Sequence, residues 1–307
     1  TDDSGIAGAG AALWIGSDAG LFRRASENAP LQAFALETGR VRRLLADPRG
    51  DLWIAAEDGL WRHRPGATQL ERKHAVAGAS LRGDINALGI DPAGRLWIGG
   101  EAGLALLDDR DGLARWIPAA HPARGHNPDV LGLLADADGS VWFDTPSGLF
   151  HLRLDAGGRE QVEAISQKYG LPGQPFGANL LRDAQARLWT QNHVLDPALG
   201  RVLTLGPADG VELGSAWFRA HARTAEGMLL FGGTQGLLAV LPDQFHFSDY
   251  TPPLAITDLR IDGTSAPQAR SRDGLILQPG QRSLAIEFAS LDYSAPERTR
   301  YAYRLLG

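Results

Sequence analysis

The chain has no cysteine among its 307 residues. A disulfide framework, thiolate zinc sites and a cysteine nucleophile are therefore excluded, while the compartment stays open, because many exported proteins also lack cysteine. There is no run of about 18 apolar residues, and Thr1-Asp2-Asp3-Ser4-Gly5 has neither the basic nor the apolar segment of a signal peptide. Any export signal or membrane anchor is expected outside this stretch. Basic excess is missing too: the net charge is −6 and the Lys and Arg residues are scattered, which argues against a nucleic-acid backbone as partner. The eight histidines show no His-x-x-x-His spacing, and the glycine clusters form no phosphate loop. His121 and His126, five apart with a proline between them, are a poor metal pair, and Asp136 and Asp138 beside Gly139 lack the glutamate of a calcium loop. No cofactor or metal is expected.

What is abundant is glycine, 38 residues, in a chain that is 44% hydrophobic and 21% charged, the composition of a folded, turn-rich protein. Its organising stretch is Arg95-Leu96-Trp97-Ile98-Gly99-Gly100-Glu101-Ala102-Gly103-Leu104. Copies recur as Leu13-Trp14-Ile15-Gly16 to Gly20-Leu21, Leu52-Trp53-Ile54 to Gly59-Leu60, Val141-Trp142-Phe143 to Gly148-Leu149, and Leu229-Leu230-Phe231 to Gly236-Leu237. A sixth, Leu188-Trp189-Thr190-Gln191-Asn192-His193, keeps the Trp and loses the Gly-Leu. The anchors Trp14, Trp53, Trp97, Trp142, Trp189 and Leu230 lie 39, 44, 45, 47 and 41 residues apart. Periods of roughly 40–50 residues mark four-stranded propeller blades.

Within a unit, an apolar run such as Val41 to Ala46 meets Asp47-Pro48-Arg49-Gly50, whose Asp, Pro and Gly positions suit a type I turn closing a hairpin. The turn recurs as Asp91-Pro92-Ala93-Gly94, Asp136-Ala137-Asp138-Gly139 and Asp183-Ala184-Gln185-Ala186, each starting six residues before its Trp. A third strand begins at the Leu after the next glycine, and a less regular fourth forms an exposed outer edge. One unit cannot bury both faces of its sheet, so stacked units share apolar faces and the Trp side chains are expected to fill the gaps between them. Trp61, Trp116 and Trp217 fall off this ladder.

The expected fold is all-β: a propeller of six recognisable four-stranded blades over residues 1–248, either a closed six-bladed ring or six of seven blades. From about Asp249 the period stops, Pro252-Pro253 punctuates the chain, and strand-like runs Leu254 to Ile261, Leu284 to Phe288 and Tyr301 to Leu305 make an incomplete sandwich over 249–307.

The unit Asp-x-x-Gly-x-Leu-Trp-Ile-Gly-x-x-x-Gly-Leu, clearest from Asp91 to Leu104, resembles the two-component regulator propeller repeat. Lys168-Tyr169-Gly170-Leu171-Pro172 resembles the Gly-Leu-Pro that precedes such repeats, and residues 210–242 resemble the closing blade. Phe288-Ala289-Ser290-Leu291-Asp292-Tyr293-Ser294 and Tyr301-Ala302-Tyr303-Arg304-Leu305 are similar to the front half of the Y_Y_Y domain. The resemblance implies the periplasmic sensor region of a bacterial signalling protein whose membrane helix leads to a histidine kinase or a diguanylate cyclase. It also implies a glycan or other small ligand, and no enzymatic activity in this stretch.

In a propeller, the loops joining second to third strands and those joining successive blades share one face, and rigid scaffolds carry their binding chemistry on such loops. The candidate ligand residues there are Asp58, Glu101, His121, His126, Asn127, Asp144, Phe176, Gln191, Asn192 and Gln235, a set of carboxylates, amides and an aromatic that suits sugar hydroxyls. Gln191, Asn192 and His193 are expected to form an unusual loop, because the repeat breaks there. Two alternatives remain open. One is a propeller lyase or glycosidase using converging carboxylates. The other is a scaffold that binds a partner protein, or mediates dimerisation, without a small ligand.

Overall fold

A computed structural model describes residues 6–9, 12–35, 38–75, 85–108, 113–117, 129–171, 173–248, 250, 252–266, 275, 277–291 and 301–304. The chain divides into two compact units, Thr1–Gly206 with Val211–Phe245, and Pro207–Gly210 with His246–Gly307.

The first unit is a succession of antiparallel sheets cut at the period of the repeat. Sheet one holds β1 (Ile6–Ala9), β2 (Ala12–Ser17), β3 (Gly20–Arg24) and β4 (Gln32–Ala35). Sheet two follows with β5 (Val41–Ala46), β6 (Leu52–Ala56), β7 (Gly59–His63) and β8 (Glu71–Ala75). Sheet three has β9 (Ile85–Ile90), β10 (Leu96–Gly100), β11 (Gly103–Asp108) and β12 (Leu113–Trp116). Sheet four has β13 (Gly132–Ala135), β14 (Val141–Thr145), β15 (Gly148–Leu154) and β16 (Glu160–Ala164). Sheet five has β17 (Leu181–Arg182), β18 (Leu188–Trp189), β19 (His193–Asp196) and β20 (Arg201–Thr204). Sheet six has three described strands where four were expected: β21 (Ala216–Arg223), β22 (Leu229–Gly233) and β23 (Gly236–Val240). The outer edges of sheets two and three also join, because β8 and β12 pair in parallel through Leu113↔His74 and Ala114↔Ala75. That pairing satisfies edge backbone groups that would otherwise face water.

Sheets one to four each bury their Trp against the next. Trp14 packs with Val41, Leu52 and Ile54 of sheet two, and Trp53 with Ile85, Leu96 and Ile98 of sheet three. Trp97 meets Val141 and Phe143 of sheet four and Val130 just before it, and Trp142 meets Leu188 of sheet five and Phe176 and Leu180 of the connection into it. Trp189 lies edge-on to Phe245, ring centroids 5.0 Å apart. The six-residue interval between turn Asp and Trp has a direct cause in three sheets. The indole Nε1 donates to Asp91 Oδ2 at 3.1 Å, to Asp136 Oδ2 at 3.2 Å and to Asp183 Oδ2 at 2.6 Å. A buried indole N–H without a partner would cost about 1–3 kcal/mol. Sheet two departs: Trp53 Nε1 has no partner among the described residues, and Arg62 lies over that ring at 5.1 Å.

The end faces differ from the shared ones. The Leu after the hairpin glycine is fully covered in sheets two and three, with Leu60 and Leu104 both 0% exposed, whereas Leu237 in sheet six is 65% exposed. At the other end, Leu13 and Ile15 are half-buried where their equivalents Leu52 and Ile54 are fully covered. Among the described residues, no sheet covers these two outward faces.

In the second unit, β24 (Leu254–Ile261) pairs with β25 (Thr264–Ser265) and β26 (Leu284–Ser290), and Asp262, at φ 51°, turns the first hairpin.

Two substitutions test this packing. Leu104→Ala is expected to cost about 2–5 kcal/mol in chemical denaturation, and Leu237→Ala less than about 0.5 kcal/mol; equal losses would mean that both faces are core. Ala186 sits at φ 60°, in the position that Gly50, Gly94 and Gly139 take in the other turns at φ 88°, 77° and 82°. A left-handed Cβ costs roughly 1–2 kcal/mol, so Ala186→Gly should raise stability by about 1 kcal/mol, measured the same way.

Candidate ligand face and central polar cluster

The second-to-third-strand hairpins meet the connection that enters the next sheet, or the one that enters their own, by backbone hydrogen bonds. Val130 N–H donates to the Gly100 carbonyl at 3.0 Å, Leu131 N–H to that of Asp144 at 2.8 Å, and Thr234 N–H to that of Ser215 at 2.9 Å. This face gathers most of the unusual chemistry of the first unit.

Asp144 is fully buried and holds the segment that leads into sheet five. Its two oxygens accept the Phe176 N–H at 3.0 Å each, and Oδ2 accepts the Ala178 N–H at 2.9 Å. Burial pushes its carboxyl up to about 6, against the pull of those backbone donors. Ala178 follows at φ 58°.

The hairpin of sheet five is shorter than its counterparts. Thr190 N–H closes on the His193 carbonyl at 2.9 Å, with Gln191 and Asn192 at the tip, whereas in sheets two, three and four the equivalent closing pairs are Ala56↔Gly59, Gly100↔Gly103 and Thr145↔Gly148. The turn therefore comes two residues earlier relative to its Trp, as the broken repeat led us to expect. The shortened end is filled from below by Asn179, fully buried, whose Nδ2 donates to Gln191 Oε1 at 3.2 Å and to the Trp217 carbonyl at 2.9 Å. Asn179 Oδ1 faces His221 Nδ1 at 3.0 Å. Because an amide oxygen only accepts, Nδ1 carries the proton and the neutral ring keeps its lone pair on Nε2. Burial, and secondarily the Arg43 charge, lowers His221 to about 4. His193, tilted against Phe176 at 5.0 Å, is lowered to about 4 by burial alone.

Around this core the other first strands present polar groups. Arg43 on β5 donates from Nε to the Asn86 carbonyl at 2.7 Å, and Asn86 Nδ2 donates to Asp129 Oδ1 at 3.0 Å. Arg219 on β21, at φ 60°, donates its backbone N–H to the Gly177 carbonyl at 3.0 Å and its Nε to the Leu131 carbonyl at 3.3 Å.

The sequence-derived candidates thus divide. Asp144, Gln191 and Phe176 come together, but Asp144 and Phe176 are buried rather than on the rim, and Phe176 belongs to the core around Trp142. Asn192 caps the short hairpin, its Oδ1 3.4 Å from Thr190 Oγ1. Asp58 lies apart, accepting the Trp61 indole N–H at 2.8 Å and pairing with Arg72 at 3.5 Å. Glu101 and Gln235 are exposed hairpin-tip residues away from the cluster. His121, His126 and Asn127 fall outside the described residues. Asn86, Arg219 and His221 were missed, since none stands in a repeated motif. No group of three His, Asp or Glu close enough to hold a metal ion occurs among the described residues, and no helix there is long and apolar enough to cross a membrane.

No family model matches the chain. A curated relative, "Histidine kinase P4" of Formosa agariphila, is 29% identical over 87 residues, 25% of this chain and 6% of that protein. Among solved structures, the extracellular domain of BT3049 from B. thetaiotaomicron, classed as a hybrid two component system, is similar over 95% of this chain and 47% of its own, at 18% identity and TM-score 0.50. Virginiamycin B lyase of Staphylococcus aureus is similar over 80% of this chain and 83% of its own, at 16% identity and TM-score 0.57. PorZ of Porphyromonas gingivalis, a surface component of a type-IX secretion system, is similar over 77% and 38%, at 16% identity and TM-score 0.57. The chain spans about half the length of the BT3049 domain. These likenesses establish a propeller-like all-β fold.

Buried histidines set a pH dependence. His151, His193 and His221 are each lowered from 6.5 to about 4, so their contribution to stability is whole above 6.5 and is lost as pH falls toward 4. Asp144, raised from 3.8 to about 6, works the other way: its penalty is present above about 6 and relieved as pH falls toward 3.8. Three against one, the melting temperature is expected to drop between pH 7 and 5. Asp144→Asn, which removes the offset, should make the drop steeper; a flat profile in the parent protein would contradict the assignment.

Proposed function

We propose that this chain is the ligand-sensing part of the extracytoplasmic region of a bacterial transmembrane signalling protein. The supporting observation is the fold likeness to the extracellular domain of BT3049, which extends over 95% of the chain and so takes in both units. The resemblance of the Trp repeats to the two-component regulator propeller and the short similarity to a histidine kinase point the same way. In this reading the propeller binds a glycan or other small ligand on the face that carries Asp144, Asn179 and Gln191. The second unit, the front of a Y_Y_Y sandwich, passes the state of the ligand site toward the membrane. The output, kinase or cyclase, lies in another part of the protein, and the region works in the periplasm.

A lyase reading draws on the likeness to virginiamycin B lyase, which covers most of both chains. One solved form of that enzyme is a catalytically inactive His→Ala variant with quinupristin. Here His221 has its Nδ1 taken by Asn179, and its Nε2 is a lone-pair acceptor for a proton.

The two readings separate in one experiment. The purified chain is screened for thermal shift against a panel of oligosaccharides, and the same mixtures are then assayed for new unsaturated or reducing ends. The sensor reading expects a shift with at least one compound and no product; at 100 times the dissociation constant the stabilisation is about 2.7 kcal/mol. Product formation abolished by His221→Ala would replace it with the lyase.

A further inference from the structure

The outward face of sheet six is apolar where an end sheet needs to be polar. The large apolar side chains exposed among the described residues of the first unit are Leu31, Leu199, Trp217, Phe218, Leu237 and Leu241, and the last four belong to sheet six or follow it directly. The registers Ala222↔Leu230, Leu230↔Ala239 and Gly232↔Leu237 put these residues on one face, and Ala220 lies against Gly232 on it. None of them carries a charge or a side-chain hydrogen-bonding group. A repeat that ends a stack needs a polar outer face to stay soluble, whereas a contiguous apolar face left to water marks an interaction site.

The glycine in this face indicates what the partner looks like. In sheets one and three the residue opposite the hairpin Leu is also glycine, Gly16 paired with Leu21 and Gly99 paired with Leu104. A Cβ on Gly16 would stand 2.5 Å from Cγ1 of Val41, and one on Gly99 2.5 Å from Cγ1 of Val130. Each glycine is thus a seat for a branched aliphatic side chain that comes from the start of the next sheet or just before it. Sheet six has the same glycine, Gly232, opposite Leu237. Among the described residues, a Cβ there would meet only Ala220 of its own sheet, 3.1 Å away, so this seat opens outward.

Sheet one does not offer a side chain that suits it. Val41 stands opposite Ala56 and Ile85 opposite Gly100, each three residues after its Trp. In sheet one that place is Ser17, and the register pairing Ile6 with Ile15 carries the opposite residue ahead of Ile6. The sequence there is Thr1-Asp2-Asp3-Ser4-Gly5, and a carboxylate or hydroxyl brought to an apolar seat loses its water without gaining a partner. Sheet one has its own half-buried apolar face in Leu13, Ile15 and Phe22, turned away from sheet two. Successive sheets here are successive in sequence, so the interface continues most directly with one more copy of the repeat.

We propose that the outward face of sheet six is an interface for a further sheet of the same repeat, carried by the same polypeptide outside this stretch. That sheet seats a branched aliphatic side chain on Gly232, covers Leu237 and closes the ring against sheet one. The inference is independent of what the propeller binds.

The test uses cysteine as a reporter, since the chain has none. Leu237→Cys is labelled with a maleimide in this chain and in the full-length protein, whose own cysteines, if any, are replaced by serine. Leu199→Cys, in the exposed turn between β19 and β20, is the reference. In this chain the two sites should react at rates within about threefold, and in the full-length protein the Leu237→Cys rate should fall roughly 100-fold while that of Leu199→Cys holds. Gly232→Val fills the seat from within. It should leave the melting temperature of this chain within about 2 °C and, combined with Leu237→Cys, restore fast labelling in the full-length protein. Fast labelling of Leu237→Cys in the full-length protein, slow labelling in a monomeric sample of this chain, or protection that Gly232→Val does not lift overturns the proposal. So does slow labelling in this chain that turns fast on dilution, which would make the occupant a second copy, and so does a full-length sequence with no further copy of the repeat.

Discussion

Everything in the propeller unit depends on burying a large indole between neighbouring sheets without stranding its N–H. An antiparallel four-stranded sheet is apolar on both faces when sheets stack, and the gap between twisted sheets is wide enough to need a bicyclic ring. Dispersion and water exclusion favour Trp there, but the indole donor must be met in a region without water. The turn aspartate meets it. Asp91 and Asp183 do three things at once: Oδ1 accepts two backbone N–H groups of the turn, and Oδ2 takes both the indole and the guanidinium four residues on. One carboxylate thus fixes the hairpin, orients the ring and pairs with the arginine four residues on. Sheet six shows the dependence from the other side. Where Leu230 replaces Trp, Thr224 replaces Asp, and its hydroxyl serves only the turn, accepting from Met228 N–H at 3.2 Å.

This explains why the fold could be read from the residues and parts of the site could not. The Asp-to-Trp interval and the hairpin Gly-Leu are local rules repeated in register, so strand order, the turn residues and the Trp core follow from spacing alone. The broken copy at Gln191-Asn192-His193 was equally readable, and the structure shows its meaning as a hairpin two residues shorter. The parallel joining of β8 and β12 was not readable, since neither edge strand carries a pattern. Nor was the wide bulge of β21, which contains no glycine to announce it. Asp144 was found, but as a rim residue; only coordinates reveal that the next connection folds over it and turns a loop carboxylate into an interior one.

The short hairpin and the interior carboxylate are parts of one arrangement. The sheet-five hairpin ends two residues early, and the buried connection through Phe176, Ala178 and Asn179 must satisfy its own backbone groups where water does not reach. Asp144 takes two of them, at Phe176 and Ala178, and Arg219 donates to the Gly177 carbonyl between. Asn179 then spends both ends of its amide on three partners. Such a fully satisfied buried network is rigid, because displacing any member exposes several unmet donors together. It holds His221 through Asn179 and the Arg219 backbone through Gly177.

That contrast bears on where recognition belongs in a repeat protein. Side chains that occur at the same place in every sheet do the same structural work in each, as the Trp ring does, and a ligand cannot be read by features the whole ring shares. Asymmetry is needed, and symmetric stacking leaves few places for it: the outer edges, the hairpin tips and the axis. Among the hairpin-tip candidates, Asp58 is already committed to Trp61 and Arg72. Residues far apart in sequence also act on one another: burial lowers His221 of sheet six, and the charge of Arg43 on the first strand of sheet two adds to that lowering. Of the two strained alanines and the strained arginine, Ala186 sits in a repeated turn, where its backbone is imposed by the hairpin. Arg219 has no repeated counterpart to impose its conformation. Its backbone N–H is held instead by the Gly177 carbonyl of the connection into sheet five, a contact that no repeated turn supplies.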